Sequence, residues 1–169
     1  AADATGHGGD GTLGSGVTLQ QPGALGDGTG AAQFAGTSSA RVVVPPSSYL
    51  VTPTGWTFET WVKTTTEWGW LGAPANGAWE VFVTTGGRVQ LRTRLSGEGG
   101  PQNLIGTQAI NDGQWHYVVA TWNGTTATLY IDGVADGQQG RPGTLDSALA
   151  TLRIGQDAGL GINTRLGEA

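Results

Sequence analysis

Apolar residues recur at every second position along much of this chain, and almost nowhere at the three- and four-residue spacing of a helix. Arg41 to Val44 (RVVV) is a β-branched run stopped by Pro45-Pro46. Thr57 to Lys63 sets Phe58, Thr60 and Val62 against Thr57, Glu59 and Trp61. Trp79 to Val83 ends at Thr85-Gly86-Gly87, and Arg88 to Leu95 follows at once, a pattern that predicts a hairpin. Trp115 to Trp122 and Thr126 to Ile131 are separated by Asn123-Gly124, and the second run stops at Asp132-Gly133. Asn-Gly and Asp-Gly supply the positive φ angles that tight hairpin turns need. Ala31 to Phe34 and Thr151 to Ile154 complete the short extended runs. About ten strands joined by glycine-rich turns predict an all-β, antiparallel two-sheet sandwich or jelly roll.

Composition narrows this picture. The 169 residues suit one domain, and no internal repeat or linker divides 1–169. Glycine, at 31 residues, is far above average, yet there is no collagen period and seven tryptophans argue against disorder. Ten of the glycines fall in residues 1–30, predicted to wrap across the sandwich as an extended segment before pairing begins at Ala31. No apolar stretch approaches the roughly 18 residues of a membrane span, so no membrane insertion is expected. A net charge of −5 with the single lysine Lys63 excludes a general nucleic-acid binder. The absence of cysteine removes disulfides, thiolate metal sites and cysteine nucleophiles.

Six segments then occur in a recognisable order. They are Asp3 to Leu13 (DATGHGGDGTL), Ala32 to Gly36, Phe58 to Lys63, Asn111 to Val118 (NDGQWHYV), Leu129 to Gly133 and Leu152 to Gly155. Together they resemble a laminin-G-like, concanavalin A-like jelly-roll domain of the bacterial type, over essentially the whole chain. The resemblance implies a secreted or surface-exposed module, extracellular or on a cell or virion surface. It also implies two strands that this sequence does not supply in the usual places. The family's opening strand is missing before Ala1, and its closing strand is replaced by Asn163 to Ala169, either truncated or an opening strand displaced to the C-terminus. One strand position is therefore expected to be unfilled, with strand sharing by a neighbouring chain or domain as the remedy.

Catalytic constellations are scarce. Retaining glucanases need two carboxyl groups about 5 to 5.5 Å apart, and here Glu59 and Glu80 stand isolated on separate strands. His116 sits within the scaffold segment, His7 in the first loop, and no nucleophile elbow or phosphate loop occurs. The chain is read as not an enzyme. Calcium is the cofactor candidate: Asp3 and Asp10 bracket a loop rich in carbonyls, and the resemblance implies an ion at the first of these aspartates. The alternative is a loop ordered by hydrogen bonds alone.

Two stretches are candidate ligand-binding surfaces. In Arg88 to Arg94 the period-2 rule sends Val89, Leu91 and Thr93 to one face and Arg88, Gln90, Arg92 and Arg94 to the other. Guanidinium forks and an amide suit carboxylate, sulfate or sugar hydroxyls, and a solvated outer face would look the same. Trp68, Trp70 and Trp79 flank a loop expected over Leu71 to Gly77, with Asn76 and Glu67 nearby, and could stack on sugar rings. Alternation puts Trp68 and Trp70 on one side, where packing would serve equally well; Trp56, Trp61, Trp115 and Trp122 are assigned to the scaffold. The resulting expectation is a non-catalytic module that binds a glycan or a protein ligand. Alternatives are a self-assembling structural repeat of an adhesin, filament or phage-like appendage, and a polysaccharide-degrading enzyme of the same fold.

Overall fold

A computed structural model describes residues 1–28 and 30–155. Within them the chain forms thirteen strands: β1 (Thr12–Leu13), β2 (Val17–Pro22), β3 (Gly30–Phe34), β4 (Val42–Val44), β5 (Trp56–Lys63), β6 (Gly69–Pro74), β7 (Trp79–Val83), β8 (Arg88–Thr93), β9 (Gln102–Ala109), β10 (Trp115–Trp122), β11 (Thr126–Ile131), β12 (Val134–Gly140) and β13 (Leu152–Ile154). A seven-stranded sheet runs in the order β1-β4-β13-β6-β7-β8-β9 and faces a four-stranded sheet β12-β11-β10-β5. A separate ribbon pairs β2 with β3. Every pairing is antiparallel. The fold is the expected all-β sandwich of jelly-roll type.

Alternation places the core between the sheets. Leu71, Val81, Val83, Val89 and Leu91 point inward from the larger sheet, and Val62, Val118, Ala120, Trp122, Leu129 and Ile131 meet them from the smaller one. Each fully buried Val, Leu or Ile contributes about 1.5–3 kcal/mol relative to exposure. Trp56 stacks on Trp79 across the gap with ring centroids 4.7 Å apart. Gly72 has to be glycine for the same reason: a Cβ there would lie 2.6 Å from the Phe58 ring. The hairpin turns follow the sequence. Gly86 and Gly87, Gly124, and Asp132 with Gly133 all have positive φ.

The opening segment departs from a plain wrap. It is extended, but Thr12–Leu13 already pairs with β4 and Val17–Pro22 with β3. Leu71 to Pro74 is the second correction. These residues belong to β6 rather than to a tryptophan-flanked loop, and the turn is confined to Ala75 to Gly77. Strands β9 and β12 were also not foreseen, because QNLIGTQA and VADGQQG are polar, glycine-containing sequences whose pairing partners, not their propensities, hold them extended. Trp61 is 41% exposed on the outer face of the smaller sheet, packed on Tyr117 at 5.1 Å. The closing-strand reading of Asn163 to Ala169 lies outside the described residues.

Candidate functional site

The outer face of the seven-stranded sheet gathers much of the predicted surface around one ring. Trp70, Phe82 and Gln90 pair side by side across β6, β7 and β8, while Glu80, Arg92 and Asn103 form the neighbouring row across β7, β8 and β9. Phe82 is the hub. Trp70 packs on it at 4.4 Å, Trp68 lies nearly parallel to it at 6.4 Å with a 12° interplanar angle, and the Arg92 guanidinium sits 5.2 Å from its centroid. Trp70, Ala73 and Phe82 thus make a small second apolar cluster, separate from the main core.

Arg92 is oriented by its neighbours. Its Nη1 donates to Glu80 Oε2 at 2.8 Å and its Nε donates to Asn103 Oδ1 at 3.1 Å. Glu80 is largely buried and Arg92 about one-quarter exposed, so this pair is more shielded than an ordinary surface bridge. Trp68, by contrast, is 45% exposed. The result is an accessible indole on one side of the Phe82 ring and, also reaching that ring, a guanidinium that a carboxylate and an amide hold in place.

Other predicted residues sit differently. Gln90 and Trp70 are on this face but buried beneath their neighbours. Arg88 and Arg94 are exposed at the two ends of the β8 row. Asn76 is elsewhere: its Nδ2 donates to the Ala148 carbonyl and its Oδ1 accepts from the Ala78 N–H, so it braces the β6–β7 turn. That turn borders a cavity of about 230 Å³ at one end of the sandwich, lined by Tyr49, Trp56, Phe58, Asn76, Trp79 and Ser147 among others. Trp56 Nε1 is a buried polar atom there with no partner.

The carboxylates also find roles the sequence left open. Glu59 accepts from the Tyr117 hydroxyl at 2.6 Å on the outer face of the smaller sheet, while Glu80 is on the outer face of the larger one. The sandwich separates them, so they do not form a pair. His116 donates or accepts between Asp132 Oδ2 at 2.8 Å and Asp112 Oδ1 at 3.1 Å. Burial opposes a charged imidazole, but the hydrogen bonds to Asp132 and Asp112 outweigh it and raise the His116 pKa. Asp112 is pushed down, by the Gln114 N–H first and then by His116. This is a clamp tying the 111–114 turn to the β11–β12 turn.

Asp3 and Asp10 do lie together in the first loop. Asp3 Oδ1 accepts from the Thr5 N–H and hydroxyl, its Oδ2 accepts from the Gly9 N–H, and Asp10 Oδ1 accepts from the Asp3 N–H. The Thr5 hydroxyl, followed by the Gly9 and Thr5 amides, holds the Asp3 pKa down to about 2. Among the described residues no group of three or more His, Cys, Asp or Glu side chains comes together. These donors are what a loop ordered by its own hydrogen bonds requires, and a calcium ion would have to displace or share them.

Sequence reasoning missed Phe82, Glu80 and Asn103 as partners of the arginine row. Phe82 and Glu80 were legible as outward positions of WEVFV once Val81 and Val83 were assigned inward. Asn103 was not, since its strand was not predicted.

A two-sheet antiparallel sandwich of this topology defines the concanavalin A-like class of β-domain. The family model described as the concanavalin A-like lectin/glucanases superfamily, Laminin_G_3, matches residues 34–166, and the chain belongs to that family. Domain 4 of AbnA, a GH43 extracellular arabinanase from Geobacillus stearothermophilus, solved with arabinotriose, superposes with a TM-score of 0.71 at 18% identity over 96% of this chain and 81% of that one. Domains LG4-5 of the mouse laminin α1 chain give 0.62 at 16% identity over 92% of this chain. The binding domain of botulinum neurotoxin DC, in complex with SialylT, gives 0.65 at 15% identity over 90%. This chain spans only 40% of the laminin and of the toxin chains. No curated protein matches it in sequence.

Proposed function

We propose that this domain is a non-catalytic carbohydrate-binding module of a secreted or surface protein, with its site on the outer face of the seven-stranded sheet. The observation that carries this reading is the exposed Trp68 indole lying parallel to Phe82, whose ring also carries the Arg92 guanidinium of the Arg92–Glu80–Asn103 row. A sugar ring presents an apolar C–H face and an equatorial rim of hydroxyls. The indole would take the face, and the fixed guanidinium, carboxylate and amide would take the hydroxyls. The arabinotriose and SialylT complexes of two structural neighbours favour a glycan over other ligands. The separation of Glu59 from Glu80 favours binding over hydrolysis.

Titration against arabino-oligosaccharides and sialylated glycans tests the reading. Trp68→Ala is expected to weaken binding at least about tenfold while leaving the melting temperature within about 2 °C, because the side chain is half exposed. Arg92→Ala should weaken binding as well. Wild-type affinity in Trp68→Ala would remove the site from this face, and turnover of a polysaccharide would remove the non-catalytic reading.

A second reading is favoured by the unpartnered Trp56 Nε1 at the end cavity. A ligand with a hydrogen-bond acceptor on an apolar body would satisfy that donor. Loss of binding in Tyr49→Ala but not in Trp68→Ala would select this cavity.

A further inference from the structure

The walls of the end cavity, about 230 Å³ in volume, are of two kinds. One is aromatic: Trp56 and Trp79 stack at 4.7 Å, and Phe58 tilts against Trp79 at 5.6 Å. The other is polar, and its side chains are engaged. Asn76 bonds both the Ala148 carbonyl and the Ala78 N–H, and the Ser147 hydroxyl oxygen accepts from the Thr52 N–H at 3.3 Å. Trp56 Nε1 breaks this pattern. It is a donor without a partner on a side chain only 9% exposed. At the mouth stands Tyr49, 65% exposed and steadied by the His7 ring at 4.2 Å. Among the described residues the lining carries no charged side chain.

We propose that this cavity binds the acetamido group of an N-acetylated sugar, with the carbonyl oxygen accepting from Trp56 Nε1 and the methyl group packed on Phe58 and Trp79. The chemistry of the walls selects this group. A buried N–H without a partner calls for an acceptor. An anion is disfavoured, because no cation among the described lining residues offsets its desolvation. A water molecule needs two to four polar partners, and the neighbours of Trp56 here are aromatic rings. A hydroxyl brings a donor of its own, whereas a carbonyl only accepts. The volume lies below the roughly 300–1,000 Å³ of pockets that enclose a drug-sized ligand, so it suits one substituent of one sugar residue, with the ring left at the mouth against Tyr49. This inference rests on the end-cavity reading given above and not on the Trp68 face. The two are at opposite ends of β6, on the order of 20 Å apart along the strand, since Trp68 precedes Gly69 and Pro74 lines the cavity.

Proton–nitrogen NMR of the full chain tests it, following the indole N–H signals of the seven tryptophans. The probes are the methyl glycosides of N-acetylglucosamine, N-acetylgalactosamine, glucosamine and glucose. At least one N-acetylated probe is expected to move the Trp56 signal saturably, and to bind at least about tenfold tighter than glucose and glucosamine, which lack the carbonyl. Ala148→Trp, at an exposed position of the lining, is expected to abolish that response by filling the mouth. A Trp56 signal unmoved by about 10 mM of either N-acetylated probe would overturn the proposal. Saturable movement with equal affinity for glucose would overturn the acetamido assignment and leave the cavity as a binding site. Movement of the Trp68 signal without that of Trp56 would overturn it as well, and would leave the sheet face as the site. The wild-type titration decides by itself should Ala148→Trp fail to fold.

Discussion

The two long sides of this sandwich are finished in different ways. On one side β9 and β12, the outer strands of the two sheets, are tied together by side chains. Asp136 of β12 accepts from the Thr107 N–H and hydroxyl and from the Gln108 N–H of β9. Gly106 makes room for that carboxylate, because a Cβ would fall 1.9 Å from Asp136 Oδ2. Just beyond β12, Arg141 is buried with both terminal nitrogens on Glu98, at 2.6 and 2.7 Å, and its Nε on the Thr93 hydroxyl, while its carbonyl accepts from Trp122 Nε1. On the other side β5 and β3 face each other across a slot with no such ties among the described residues. Side chains close the first seam, whereas the second keeps a slot of about 640 Å³ between its two strands.

The contrast predicts a gradient of mutational cost. Arg141→Ala should destabilise most, by roughly 3 kcal/mol in chemical denaturation, because it leaves the Thr93 and Glu98 acceptors without their buried partner. Asp136→Ala should cost about 1–2 kcal/mol, since it strands three donors that are partly exposed. On the open side Trp61→Ala should cost less than about 1 kcal/mol, as the ring is half exposed and lies outside the core. A larger loss there than at Asp136 would abolish the distinction between the seams.

His116 adds a pH dependence at one end of the smaller sheet. Its pKa is raised on folding, so its contribution is complete below the unfolded value of about 6.5 and fades as pH rises through the folded value. The pKa of Asp112 and of Asp132 is lowered, so theirs is complete above about 3.9 and fades as pH falls through the folded values. The clamp is therefore strongest between about pH 4 and 6.5. Both aspartates are about half exposed, which limits the effect by screening. His116→Gln should cost about 1 kcal/mol at pH 6 and less at pH 9, read as the difference in melting temperature from wild type. The smallest effect is expected at the first loop. Exchanging EDTA for about 1 mM calcium should move the melting temperature by less than about 1 °C, because Asp3 is already satisfied; a rise that grows with calcium concentration would place the ion there.

Local patterns revealed the hairpins. WEVFV, WHYVVATW and TATLYI each alternate strongly and end at glycine turns, and they became β7, β10 and β11 without a shift of boundary. Strands β9 and β12 escaped because their extended shape is imposed by pairing, and Leu71 to Pro74 because glycine and proline read as a turn. The candidate site was half legible. Trp68 and Arg92 stood out as chemistry on alternating positions, but their convergence on Phe82 depends on strands that pair without being adjacent in meaning until the register is known.

Period-2 alternation and turn chemistry act over a few residues, so the sequence alone determined the all-β class, the inward and outward faces of most strands, and the absence of cysteine chemistry. Which faces meet is a matter of long-range register. Only the tertiary structure separated Glu59 from Glu80, buried Trp70 while leaving Trp68 exposed, turned Asn76 into a brace for a turn, and set β3 and β5 on either side of a slot.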